Sequence, residues 1–178
     1  MRNNFSVVIL MFTLMCGFMP SSYGAEEPTI EEQALLKAFG GFNVALAYNE
    51  VCNKADPKEM YNTKNPVSIT LLGNQNILAA KFGGTQHVRF PEKTVEELVL
   101  KLRNLMDEIK AGAKGKLNKL GCESEEGKDA AKAWKFYSTI NPWQLSGFLD
   151  EKIVARGGRV TSTDEIEAAG KEVGESEE

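Results

Sequence analysis

Histidine is nearly missing from this chain, with His87 the only one among 178 residues. Cysteine is scarce as well: Cys16, Cys52 and Cys122 are far apart, and none belongs to a Cys-x-x-Cys pair. These two shortages remove the usual zinc ligand sets and the dithiol redox motif, so neither a metal nor another cofactor is expected. They also leave a Ser-His-Asp arrangement with one candidate base and no local spacing that ties a nucleophile or a carboxylate to it. Glycine patterns that cradle phosphate, calcium loops and internal repeats are absent from the sequence too. Excess positive charge is lacking. The formal net charge is -4, and residues 157–178 hold seven acids against two bases, whereas residues 25–156 hold eighteen of each. A body this close to neutral does not offer the basic footprint that nucleic acid requires, and no nucleic-acid partner is expected.

Long apolar runs are short in supply. The longest, Phe5 to Met19, falls below the roughly 20 residues that span a bilayer. With Arg2 ahead of it, Pro20 behind it and the small residues Ser22 and Gly24 beyond, it reads as a secretory signal over residues 1–24, cleaved before Ala25. Cys16 is not preceded by the small residues of a lipoprotein site and leaves with the signal. The expected product is exported, to the periplasm or beyond the cell, with no transmembrane segment after cleavage. Its 42% hydrophobic and 26% charged composition fits one globular domain with a single core.

What is present is helical periodicity. Thr94 and Glu97 form the reciprocal pair that caps a helix start. After them Val95, Leu98, Val99, Leu102, Leu105, Met106 and Ile109 recur at three and four residues, and Ala113, Leu117 and Leu120 extend the stripe. This helix, 94–120, is the strongest signal in the chain and is expected to organise the others. Thr29 and Glu32 repeat the capping pair and open a helix to about Asn53. There Leu35, Phe39, Phe42 and Leu46 make a bulky ridge beside a flat strip of Ala34, Ala38, Gly41 and Ala45 that admits a close neighbour, while Glu31, Glu32, Lys37 and Glu50 are expected in water.

Asn65 and Pro66 can start a helix reaching Phe82, closed by Gly83 and Gly84. Val67 to Leu71 also alternate as a strand would, with Gly73 and Asn74 as a turn, so a small β element within 66–90 is the alternative. Further helices are expected near 125–140 and 142–155, opened by Ser124 and by Asn141 with Pro142. The fold class that follows is all-α, a single-domain bundle of four to five helices over 25–156 with antiparallel neighbours. Residues 157–178 read as an acidic, disordered tail, within which Asp164 to Lys171 has the makings of a short helix.

Candidate chemistry is sparse. Cys52 and Cys122 are expected to pair in an oxidising compartment. His87 falls in the segment Gly83 to Lys93, read as a loop, near Arg89. Glu123, Glu125, Glu126 and Asp129 cluster as a glycosidase pair might, but a helix start also favours them. Lysines 110, 114, 116 and 119 suit the negative end of a helix dipole. Trp134, Tyr137, Trp143 and Phe148 concentrate aromatic surface and are the candidate ligand or partner residues, with Trp143 outside the face formed by Leu145, Phe148 and Leu149. The expected function is a non-catalytic binding or accessory protein that meets another envelope or extracellular protein or an apolar ligand. A carboxylate-dependent hydrolase and an apolar-ligand carrier are the alternatives.

Overall fold

The computed structural model describes residues 27–91 and 95–175. Among the described residues there are six α-helices and no strand, so the bundle is all-α and the β alternative within 66–90 is not adopted. The helices are α1 (Ile30–Val51), α2 (Pro66–Arg89), α3 (Val95–Leu120), α4 (Glu125–Thr139), α5 (Pro142–Ala155) and α6 (Thr163–Glu175), with a 3-10 turn at Pro57–Tyr61. The expected signal over 1–24, its cleavage site at Ala25 and the Thr94 cap lie outside the described residues.

The organising element is α1, not α3. Its first turn carries the full capping box, with Glu32 N–H donating to Thr29 Oγ1 at 3.1 Å and Thr29 N–H donating to Glu32 Oε2 at 2.7 Å. From there α1 packs against α2, α3, α4 and α5. Leu35, Phe39 and Phe42 are fully buried, and the rings of Phe82 and Tyr137 meet Phe39 and Phe42 edge to face at 5.9 and 5.4 Å. The flat strip does what its small residues allow. A Cβ on Gly41 would lie 3.2 Å from the Tyr137 hydroxyl, which donates to the Ala38 carbonyl at 2.8 Å. The stripe of α3 covers another side of α1 through Leu98, Leu102, Ala113 and Leu117, although Leu120, expected on that stripe, is exposed.

Contact positions set the directions. Glu32 meets Gln86 and Leu46 faces Leu71, so α2 descends against the ascending α1. Ala113 and Leu117 cluster with Ala47 and Val51, so α3 ascends beside it. Then the expected alternation fails. Gly73 meets Pro142 and Lys81 pairs with Asp150 at 2.6 Å, the same eight-residue step on both helices, so α5 runs parallel to α2 and continues the descent of α4. The junction at Ile140 and Asn141 does not reverse the chain. Asn74, fully buried in α2, secures this break by donating from Nδ2 to the carbonyls of Tyr137 at 2.8 Å and Ile140 at 3.0 Å, groups a helix end would otherwise leave unbonded. The molecule is a four-armed bundle whose last arm is broken in the middle.

Two further departures from the sequence reading concern glycine and the tail. Helix α2 does not stop at Gly83 and Gly84 but runs on to Arg89, which places His87 in a helix rather than a loop. Gly84 is used as a seat: Ile166 of α6 packs into the space a Cβ would fill. The segment read as a disordered tail thus contains α6, which is longer than the short helix foreseen there and is packed on α2. The Thr161 N–H and Oγ1–H both donate to the Glu31 carboxylate, at 2.9 and 2.7 Å.

Candidate functional site

The four aromatic candidates do not converge. Tyr137 belongs to the core, 7% exposed, and burial pushes its phenol above the ordinary range. Phe148 lies half-buried on α5, its ring 5.6 Å from that of Phe136, with the Lys152 ammonium over its face at 5.3 Å. Trp134 is partly buried at one end of the bundle, and Trp143 stands 81% exposed. Two places remain as surfaces, and each is built from the chain upward.

The first surrounds Trp143. Asn141 caps α5 by accepting from Gln144 N–H at 2.9 Å, and Gln144 returns the bond to Asn141 N–H at 3.4 Å. Pro142 occupies the first turn and packs over Gly73. Trp143 is therefore presented from a fixed backbone rather than from a loose loop. Residues 65–80 and 136–149 contain no Asp, Glu, Lys or Arg. The Asn74 bonds and the Gly73 contact bring these two stretches side by side, so the surface they share lacks charge. Ile69, one helical turn before Gly73, is 53% exposed.

The second is an open groove of about 290 Å³ at the far end of α1, between α1, the 3-10 turn, the start of α2 and Trp134 of α4. Leu46, Met60, Leu71 and the indole form its apolar walls. Glu50, Asp56 and Glu59 are among its lining residues, and no Lys, Arg or His is. Glu50 is engaged from outside by α3, its two oxygens pairing with Lys110 and with Lys114 at 2.9 Å. Burial pushes that carboxyl up, but the hydrogen bonds and charges of the two lysines outweigh it and hold the group below its ordinary value. A general acid requires the opposite shift. Glu50 was expected in water, as were Glu31 and Glu32. All three are largely covered, because each has found donors: the lysines for Glu50, Thr161 for Glu31, and Gln86 with Arg89 for Glu32.

Most of the remaining candidates have partners within the bundle. Cys52 and Cys122 stand at disulfide distance, Cα to Cα 5.8 Å. Ser124 caps α4, Glu125 pairs with Lys128 at 3.0 Å, and Asp129 pairs with Lys132 at 2.7 Å, so these acids serve the helix start they occupy. His87 has its Nδ1 buried without a hydrogen-bond partner. Among the described residues no group of three His, Cys, Asp or Glu side chains is placed to hold a metal ion. The groove itself was missed by sequence reasoning. Asp56, Glu59 and Met60 come from the turn-rich stretch 55–65, which has no periodicity, and only Asp56 before Pro57 hinted that this stretch is ordered.

Comparison with known families, curated proteins and solved structures finds no match to this chain.

Proposed function

We propose that this chain is an exported, non-catalytic binding protein of the cell envelope or extracellular space, and that it engages another protein through the charge-free face around Trp143. The observation that carries the reading is the 81% exposure of Trp143 on a capped, proline-started helix turn. Interface centres are enriched in Trp and depleted of charge. Export is supported by the Cys52–Cys122 pair at bonding distance, which suits an oxidising compartment. Among the described residues no helix is long and apolar enough to cross a membrane, which is compatible with that reading.

The test compares Trp143→Ala with Leu120→Ala, a second exposed apolar residue away from the face. Both variants should melt close to the parent. Trp143→Ala should lose partner capture from envelope extracts, weakening affinity by about thirtyfold or more, the size of an interface hot spot. Equal capture by both variants, or turnover of an envelope polymer that disappears when one carboxylate is replaced, overturns the reading.

A further inference from the structure

The groove beside Trp134 is separate from the Trp143 face, and its lining has a definite chemical preference. We propose that it is a binding site for a small organic cation carrying an apolar tail. Not all of the acids lining the groove are compensated. Glu50 already has both oxygens committed to Lys110 and Lys114. Asp56 and Glu59 do not. Asp56 Oδ1 accepts from the Lys58 backbone N–H at 2.9 Å and Glu59 Oε2 accepts from Asn62 Nδ2 at 3.0 Å, which leaves each carboxylate its second oxygen and its charge. These bonds orient the acids without neutralising them. The turn that carries them is held to α2 by Ser68 Oγ–H donating to the Glu59 carbonyl at 2.6 Å.

Lining the same groove are Leu71, Met60 and Trp134, which supply apolar surface and an electron-rich aromatic ring. An organic cation, such as an ammonium or quaternary ammonium group, is the kind of head group that both the carboxylates and the ring quadrupole attract. An anion is repelled, and a neutral molecule gains only from the apolar surface. The volume of about 290 Å³ sits at the lower limit of small-molecule sites, roughly 300 Å³, and so suits a head group with a short tail rather than a large ligand.

The experiment is a titration of the intact protein followed by the Trp134 indole N–H resonance, assigned against the spectrum of Trp143→Phe. The probes are octyltrimethylammonium, choline and neutral octanol. Octyltrimethylammonium should shift the Trp134 signal saturably, bind more tightly than choline because of its tail, and bind more tightly than octanol because of its charge. The double variant Asp56→Asn with Glu59→Gln keeps the turn's hydrogen-bond acceptors and should weaken the cation about threefold to tenfold, as expected for exposed charge pairs, while leaving octanol unchanged. The Trp143 signal should stay in place, and this separates the site from the protein-binding face. Octanol binding as well as the cation would replace the proposal with an apolar-ligand site. An unmoved Trp134 signal, or a cation affinity untouched by the double variant, overturns it outright.

Discussion

At the scale of single residues, this protein covers several of its carboxylates and gives each one donors. Glu32 is 2% exposed and holds Thr29, Gln86 and Arg89 together, and Arg89 reaches on to the Glu27 carbonyl at 3.0 Å. The Glu50 pair is open to titration. Because the lysines hold its folded pKa below the ordinary 4.5, its contribution is fully present above that value and is lost as pH falls through the lower folded pKa. Lys114 is 41% exposed, so solvent screening limits the effect to about 1 kcal/mol. Glu50→Gln should therefore melt a few degrees lower at pH 7, and the gap from the parent should narrow as pH falls below 4.5 and close beneath the lowered folded pKa when thermal melts are run as a pH series. A gap that stays constant with pH would mean that the charges do not contribute. The sequence did not reveal these acids as buried. Composition marks Glu as a surface residue, and apart from the Thr29 cap on Glu32 the partners of Glu31, Glu32 and Glu50 lie 54 or more positions away in the chain.

At the scale of elements, capping residues were the most readable feature and centrality the least. Thr29, Asn65, Ser124 and Asn141 each cap the helix that their sequence context announces. Helix α3 stood out because one of its sides faces water, which gives a clean stripe. Helix α1 has neighbours on most sides, so its apolar residues spread around the axis and its periodicity fades. The helix that matters most to the core was for that reason the quieter signal. The tail was misjudged on composition, although Ser162 and Glu165 form a legible cap. Ser162 N–H donates to Glu165 Oε2 at 2.9 Å, and this bond, with those from Arg159 and the Ser162 hydroxyl, lowers the Glu165 carboxyl to about 2. Ending the chain at Arg156 removes both Thr161 donors from buried Glu31 and the Ile166 side chain from its seat on Gly84. The expected cost is about 2 kcal/mol, or roughly 4 to 8 °C in a calorimetric melt. An unchanged melting temperature would show that α6 adds nothing to the bundle.

At the scale of the whole molecule, the bundle is fastened differently at its two poles. Cys52 and Cys122, 70 positions apart, join the upper ends of α1 and α3, close to the Glu50 pair. On the chain-entropy account, closing a loop of that length restrains the unfolded state by about 4 kcal/mol. Cys52→Ser with Cys122→Ser, or reduction of the parent, should thus lower the melting temperature by on the order of 10 °C. Loss of only a degree or two would place the stability of that pole in the small-residue cluster of Ala47, Ala113 and Ala130. Among the described residues the opposite pole has no disulfide, and the Glu31 and Glu32 carboxylates tie it through polar contacts.

Those contacts fix an orientation for the molecule. Thr161 bonds to Glu31, two residues beyond Thr29, so the incoming and outgoing backbone of the main body lie side by side at one pole. The groove of Trp134, Asp56 and Glu59 opens at the other. Anything fused, tethered or grafted at residue 29 or residue 161 will hang from the same point, like a lamp from its cord, and will leave the groove facing outward and unobstructed.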